Sequence, residues 1–399
     1  MNGNVEVVVI GGGYGGVTAA NSLARRDGMS VTLVNPRPEF VSRIRLHQLV
    51  TGSDDAVEGY EEVLGGNVRR VVDTATLIDT AERRVLLAGG GTLSYDYLVY
   101  AVGSGAADPG VPGAAEFAHW VSDLEGAQRL RSALSATPAS APVTVVGAGP
   151  TGLETAAELA EAGHKVTLVC GDVLGPSLHA RVRGPVARRL AGLGVIVLEG
   201  PRARVTEVTR EGVQLDDGRE LPSAVTIWTA GFRVPDLAVR SGLRTDAEGR
   251  LVTDATLTSV DDVRIVGAGD AVVMTDRPFR MSCQAAVQLG PAAAATVLRR
   301  IAGKAPAPVR MFFAGQCLSL GRNEGVTQFS YPNDKVNALR ISGRTGARVK
   351  EMACRFTLDK LVSGARKASS RAAHGDTTDR LEPTQPEQRT TPSDRRGAA

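Results

Sequence analysis

Four cysteines are all that this 399-residue chain holds, and no two are neighbours. Cys170, Cys283, Cys317 and Cys354 are too far apart for a C-x-x-C redox pair, a sequence-local zinc knuckle or a disulfide framework. Each is expected as a small buried apolar side chain, and no metal site is expected. No apolar run reaches the roughly 18 residues needed to span a bilayer. The N-terminus enters a β-branched run almost at once, which leaves no room for a signal peptide and points to the cytoplasm. Charge of one sign is also lacking. The 46 Lys and Arg against 43 Asp and Glu leave a net +3, so broad nucleic-acid binding is not expected. With 43% hydrophobic and 22% charged residues the composition is that of an ordinary globular protein, and its length suits two or three domains.

What is present is a glycine fingerprint, twice. The first copy is Gly11-Gly12-Gly13-Tyr14-Gly15-Gly16 after Val7–Ile10, and the second is Gly147-Ala148-Gly149-Pro150-Thr151-Gly152 after Val143–Val146. A lone G-x-G-x-x-G is weak evidence. Two copies, each between a β-branched run and an Ala/Leu-rich stretch, are strong evidence for two dinucleotides in one chain. Gly11 and Gly147 permit the tight strand-to-helix turn. Gly13 and Gly149 carry no Cβ, so backbone can approach a pyrophosphate. Gly16 and Gly152 allow close helix–strand packing. The helix start then offers free N–H groups and partial positive charge to phosphates. Two nucleotides held close together imply electrons passing between them.

The fingerprints head two longer copies of one pattern. Each has a second strand, at 30–34 and 165–169, then a hairpin, at 83–93 and 212–221. Each closes on a strand ending in glycine, Tyr97–Gly103 and Val225–Gly231. Each copy therefore reads as a doubly wound α/β unit with a small antiparallel insert. A buried strand ending in Gly269-Asp270 follows. A helix is expected from about Gln284 to Ile301, bent or broken at Pro291. An antiparallel β unit is expected over 309–342, a basic helix over 344–366, and a disordered tail from 367.

The order of these motifs resembles the two-dinucleotide-binding-domain flavoproteins, over about residues 5–305. Within them the chain is most similar to type II NADH dehydrogenases and the apoptosis-inducing-factor-like quinone reductases. Disulfide reductases carry two redox cysteines in the first third of the chain, and Phe40–Leu49 has none. Cys283-Gln284-Ala285-Ala286-Val287-Gln288 also looks like the family's Ala-Gln-x-Ala-x-Gln quinone motif, with cysteine for the first alanine. The resemblance implies two Rossmann-like domains with β inserts and a small C-terminal α+β segment. FAD would lie on 1–112 and 233–308, NAD(P)H on 113–232, and the C-terminal β unit and basic amphipathic helix would span 309–366, with the disordered tail over 367–399. It implies FAD contacts at Gly11, Gly13, Tyr14, Gly15, Gly16, Asn35, Arg43, Ala101, Gly103, Gly269 and Asp270. It implies NAD(P)H contacts at Gly147, Gly149, Pro150, Thr151, Gly152, Cys170 and Gly231. Glu154, Gln284 and Gln288 would serve catalysis. The implied activity passes a hydride from NAD(P)H to flavin and then electrons to a quinone-like acceptor. Two alternatives stay open: an NAD(P)H:ferredoxin or biosynthetic small-molecule reductase, and a non-catalytic NADH-responsive sensor.

The chain departs from the pattern at both adenosine riboses. The position expected to be acidic is Asn35 in copy one and Cys170 in copy two. Asp172 could substitute in copy two, with Arg181 and Arg183 further along, so the choice between NADH and NADPH stays open. Other features keep two readings each. Arg43-Ile44-Arg45-Leu46-His47-Gln48 is either a cationic wall beside the flavin or a charged surface turn. Glu154 is either close to the nicotinamide–flavin contact or a first-turn surface glutamate. Gln284 and Gln288, one turn apart, either hold a quinone carbonyl or fill a polar face. The final helix pairs Arg344, Arg348, Lys350, Arg355, Lys360, Arg366 and Lys367 with Val349, Met352, Ala353, Phe356, Leu361 and Val362. It either lies on an anionic membrane, on the cytoplasmic face, or packs on the protein itself or on a homodimer partner.

Overall fold

The structure, a computed structural model, describes residues 4–275 and 278–375, with side chains through residue 370. Two five-stranded parallel sheets organise the described residues. The first runs in the order Ile265–Gly267, Tyr97–Tyr100, Val5–Ile10, Met29–Asn35, Arg69–Val72. The second runs Ala118–Trp120, Val225–Trp228, Pro142–Val146, Lys165–Val169, Ile196–Leu198. In each, the strand before the fingerprint is central, and strand order reverses beside it. That reversal leaves a crevice at the carboxyl ends of the strands, where open α/β sheets bind ligands.

Both faces of each central strand are buried, which explains the unbroken β-branched runs. Val7 and Val9 pack with Val17 and Leu289 on one face, and Val8 and Ile10 pack with Leu98 and Tyr100 on the other. In the second sheet, where Thr144 and Thr226 are also buried, apolar burial likewise surrounds Val143, Val145, Leu168 and Ile227. Each such side chain contributes on the order of 1.5–3 kcal/mol. The expected hairpin inserts form as three-stranded antiparallel units, 75–94 and 205–222.

The helix Cys283–Ile301 runs unbroken through Pro291, so the expected break there is absent. It crosses the first fingerprint helix, Tyr14–Leu23, at Gly290. A Cβ on Gly290 would overlap the Gly15 carbonyl and the Thr18 hydroxyl. Three antiparallel strands, Gly315–Ser319, Gly325–Ser330 and Val336–Ser342, lead into the C-terminal helix Gly343–Gly375. That helix extends beyond the expected end at 366, so the expectation of disorder fails over 367–375. Ala368 is fully buried against Gly65, and Ser369 Oγ accepts the Gly66 amide at 3.0 Å. Residues 376–399 lie outside the described residues.

The apolar stripe of the C-terminal helix turns inward. Cys354, Leu361, Ala365 and Ala368 are buried, and Asn21 of the first fingerprint helix reaches the Leu361 carbonyl. Met352 and Phe356 stay outside, 63% and 59% exposed. No helix among the described residues is long and apolar enough to cross a membrane.

Candidate functional site: two nucleotide turns and a buried charged cluster

The three glycines of each fingerprint divide by what would stop a side chain. Gly11 and Gly147 have φ of +103° and +108°, a region that favours glycine. A Cβ on Gly16 or Gly152 would overlap the carbonyl oxygen of Gly11 or Gly147. A Cβ on Gly13 or Gly149 would meet nothing within 4 Å. Protein packing therefore demands the outer glycines, and only something outside the protein demands the middle ones.

The helix starts agree. The helices Leu124–Ser135, Ala180–Gly192 and Cys283–Ile301 are capped by the side chains of Asp123, His179 and Ser282. The fingerprint helices Tyr14–Leu23 and Pro150–Glu161 begin at Gly13 and Gly149 with no side-chain cap and no acidic residue in the first turn. Their leading N–H groups are left for an anion.

The first turn is braced from several directions. Asn35 Oδ1 accepts the Gly12 amide at 3.0 Å, Asn35 Nδ2 donates to the Arg37 carbonyl at 2.9 Å, and Tyr60 donates to the Gly12 carbonyl at 2.8 Å. Asn35 thus stands at the expected strand end, with its amide engaged in shaping the turn. Tyr14 is buried edge-on against Phe40 and shares a 3.0 Å hydrogen bond with Ser42. The Ala101 carbonyl lies beneath Gly11, and Gly15 faces Gly269. Gly103 and Gly269 turn through φ of +72° and +77°.

Asp270 and Arg43 meet beside this turn. Ser104 Oγ donates to Asp270 Oδ2 at 2.8 Å and accepts from Arg43 Nη1 at 3.1 Å, and Arg43 lies 3.8 Å from Asp270. Asp270 Oδ1 is buried with no partner among the described residues. An orphaned carboxylate oxygen in a cleft asks for a donor such as a ligand hydroxyl. The surface-turn alternative for residues 43–48 fails, since Leu46, His47 and Gln48 are buried and Arg45 pairs bidentately with Glu351.

The second turn has fewer braces. Thr229 Oγ1 donates to the Val146 and Gly147 carbonyls, and Gly231 beyond it has φ of +81°. Pro150 opens the helix, and Thr151 beside it is half-buried. Cys170 sits at the expected ribose position, half-buried, its thiol pushed up to about 12 by burial and so neutral. Asp172, two residues on, forms an exposed 2.6 Å pair with Arg204, a partner that sequence reasoning missed. Arg183 is occupied with the Gly175 carbonyl.

Glu154 is not a first-turn surface residue. It is 6% exposed, 2.8 Å from Lys350 Nζ, and accepts the Ser319 amide at 2.9 Å. His47 Nδ1 lies 3.9 Å away. Burial pushes the Glu154 carboxyl up, but Lys350, His47 and Ser319 outweigh it and hold the group below the usual carboxylate range. Burial likewise opposes charge on Lys350, and Glu154 reverses this, holding the amine protonated. Lys350 also senses Cys283, the first residue of the motif helix. The pair thus joins the second fingerprint helix to the C-terminal helix. Sequence reasoning counted Lys350 only among the outward basic residues.

The two glutamines differ. Gln288 Nε2 donates to the Gln284 and Phe312 carbonyls, and its Oε1 accepts the Phe312 amide at 3.0 Å. Its amide therefore clamps the 312 segment onto the helix, which corrects the expectation that both glutamines are free for a ligand carbonyl. Gln284 is half-buried at the helix start, and its side chain makes no hydrogen bond among the described residues.

Two nucleotide turns on two parallel sheets, with a buried ion pair between the second fingerprint helix and the C-terminal helix, define a two-dinucleotide oxidoreductase. The family description "Pyridine nucleotide-disulphide oxidoreductase" matches residues 5–290. An NADH dehydrogenase-like protein of Mycobacterium tuberculosis is 33% identical over 323 residues, covering 73% of this chain and 80% of that protein. The type II NADH:quinone oxidoreductase Ndh of the same organism is 30% identical over 373 residues, covering 81% and 79%. In fold, the sulfide:quinone oxidoreductase of Aquifex aeolicus aligns with a TM-score of 0.77 at 20% identity, over 95% of this chain and 96% of that one. NDH2 from Plasmodium falciparum in complex with NADH aligns at 0.74 and 16%, over 93% and 98%. The chain belongs to the pyridine nucleotide–disulphide oxidoreductase family. It is an NAD(P)H-dependent flavin oxidoreductase, and its cofactors are FAD and NAD(P)H. The open middle glycines, the uncapped helix starts and the orphaned Asp270 oxygen fit those two dinucleotides.

Proposed function

We propose that the chain oxidises NAD(P)H and reduces a quinone-like acceptor, with FAD resident on the Gly11–Gly16 turn and NAD(P)H visiting the Gly147–Gly152 turn. Bound FAD supplies two-electron redox chemistry. Asp270, Ser104 and Arg43 orient it, and Gly13 lets the backbone meet its pyrophosphate. Gly149, Thr151 and Gly231 position the nicotinamide nucleotide. The domain division follows: residues 1–112 and 233–308 serve the first nucleotide, 113–232 the second.

The acceptor side rests on one observation, the buried Glu154–Lys350 pair between the second fingerprint helix and the C-terminal helix. Reducing a quinone places negative charge on its oxygens. A protonated, buried amine stabilises such charge in a low-dielectric site, and the unpartnered Gln284 amide offers a donor. Gln288 acts indirectly, by holding the Phe312 segment. Two named relatives share the acceptor class in their names, type II NADH:quinone oxidoreductases of M. tuberculosis and of Staphylococcus epidermidis, the latter 26% identical.

The test is anaerobic. Purified protein should carry FAD, bleach with NADH, and recover its colour with menadione faster than with ferredoxin. Recovery with ferredoxin alone would assign the acceptor to a protein. Slow reaction with every acceptor would support a sensor.

Peripheral membrane contact, the remaining part of the proposal, falls to the outer face of the C-terminal helix. Met352 and Phe356 stand there beside Arg355 and Lys360. Flotation with anionic vesicles at low salt, lost at high salt, is the expected result.

A further inference from the structure

We infer that Arg280 is a positioning residue for the acceptor, clasping the 312–315 segment and the turn at Asp334 to the start of the helix that carries Gln284. This rests on the acceptor reading above and deepens it. An amide that donates to an acceptor oxygen has to be held to within about 0.5 Å of its productive place. Gln284 makes no side-chain hydrogen bond among the described residues, so its place depends on the backbone that carries it.

That backbone is gripped on both sides of Gln284. Four residues after it, Gln288 takes both the carbonyl and the amide of Phe312 and also donates to the Gln284 carbonyl. Four residues before it, Arg280 takes the other end of the same segment. Its Nη2 donates to the Gly315 carbonyl at 2.7 Å, and its guanidinium lies 5.1 Å over the ring of the buried Phe313. Arg280 Nε donates to Asp334 Oδ2 at 2.6 Å, which ties in the turn between the strands Gly325–Ser330 and Val336–Ser342. Between the two grips Ser282 caps the helix, accepting the Ala285 amide at 3.1 Å. One side chain therefore joins three segments: the approach to the motif helix, the entry to the strand Gly315–Ser319, and the hairpin turn. At the far end of that strand, the Ser319 amide donates to Glu154. The strand thus links the clasp to the buried ion pair.

The hairpin turn needs the clasp. Among the described residues Arg280 is the one cation within 4 Å of the Asp334 carboxylate. Asp334 sits at φ of +62°, a left-handed conformation that disfavours a residue with a side chain, and its Oδ1 is buried without a partner. Ser330 Oγ, at the base of the same turn, is also buried and unpartnered. A turn strained in this way keeps its shape only while its neighbours fix it. A guanidinium can meet a carboxylate, a carbonyl and a ring face together, whereas an ammonium acts as a point charge. The Arg280 and Asp334 side chains are 33% and 22% exposed, so the clasp lies at the edge of the protein. Opening it loosens the segment and the turn and leaves both parallel sheets untouched.

The test uses the FAD-loaded full chain with Arg280→Ala, Arg280→Lys, Gln284→Ala and the double variant Arg280→Ala/Gln284→Ala. In turnover with menadione, Arg280→Ala should raise the menadione KM about tenfold and keep kcat within about twofold of wild type. Arg280→Lys should recover only part of that, since it keeps the charge beside Asp334 and loses the reach to Gly315. The double variant should show the KM of Gln284→Ala alone, because a residue that acts through Gln284 then has nothing left to position. The rate of bleaching by NADH should stay within about twofold of wild type throughout. Without any acceptor, hydrogen exchange over residues 312–317 should quicken in Arg280→Ala. Asp334→Ala opens the same clasp from the other side and should raise KM in the same direction, which keeps the test in force if Arg280→Ala does not accumulate. An unchanged menadione KM in these variants, a double variant whose KM multiplies the two single effects, or unchanged exchange over 312–317 would each overturn the assignment. Wild-type enzyme that no quinone reoxidises would instead overturn the acceptor reading, and this role with it.

Discussion

The two fingerprint turns share a glycine spacing and differ in what surrounds them. The first is gripped by Asn35, Tyr60, Tyr14 with Ser42, and the crossing helix at Gly290. Its open side faces Asp270, Ser104 and Arg43. The second is braced by the Thr229 side chain and by the Gly147 amide on the Val169 carbonyl, and past its second strand stand a neutral Cys170 and an exposed Asp172–Arg204 pair. A preorganised, enclosed turn retains its ligand, because little ordering remains to be done on binding. A lightly held, open turn exchanges its ligand. We propose that the chain thus builds a resident site and a visiting site from one motif.

The largest expected effect breaks both turns alike. Gly16→Ala and Gly152→Ala force a Cβ into the carbonyl of the preceding glycine turn, at the tightest helix–strand contact. Each should fail to accumulate as folded protein, a loss beyond the about 1–3 kcal/mol of ordinary overpacking, because the overlapped atom is backbone. Comparable stability in either variant would show that so close an approach of helix and strand is not needed. Next in size is the cluster between the turns. Lys350→Met leaves Glu154 buried without its cation, at a cost of about 3–5 kcal/mol, and adding Glu154→Gln should recover much of that. A double variant no better than the single would count against the pairing.

The pH response separates two buried neighbours with opposite signs. His47 binds its proton near 4 when folded and near 6.5 when unfolded, so its contribution is lost as pH falls through that window, about 3 kcal/mol in full. Glu158 titrates near 7 when folded and near 4.5 when unfolded, so it destabilises as pH rises through an overlapping window. The two slopes oppose. Glu158→Gln should therefore steepen the loss of stability on acidification, and His47→Gln should flatten or invert it, as read from unfolding midpoints across the range. Identical slopes in both variants would contradict these environments. The smallest effect concerns the visiting site. Asp172→Ala frees Arg204 beside the ribose end and should raise relative use of NADPH by a few-fold, roughly the worth of an exposed ion pair. An unchanged NADPH/NADH ratio of kcat/KM would exclude Arg204 from that choice.

The parts legible in the sequence are those with local causes. Glycine spacing and β-branched runs locate both turns and both parallel sheets, and Asp217-Gly218 locates one hairpin insert. The illegible parts are pairings between distant segments. Nothing near Glu154 announces Lys350, and nothing near Gln288 announces the Phe312 backbone that takes up its amide. His47 and Glu158 look like ordinary polar residues until two elements bury them together. The C-terminal helix outruns its expected end because its last turns are Ala, Ser and Arg. These carry no large apolar signal, yet Ala368 fits the narrow gap over Gly65.

The division into resident and visiting sites meets its most direct test at the middle glycines, where an added Cβ meets no protein atom within 4 Å. Gly13→Val and Gly149→Val should both fold. The flavin spectrum of each purified variant, before and after anaerobic NADH, is the measurement. The account predicts that Gly13→Val purifies colourless. Gly149→Val should purify yellow, stay yellow with NADH, and bleach with dithionite. A yellow Gly13→Val protein, or a Gly149→Val protein that NADH bleaches at the wild-type rate, would contradict it.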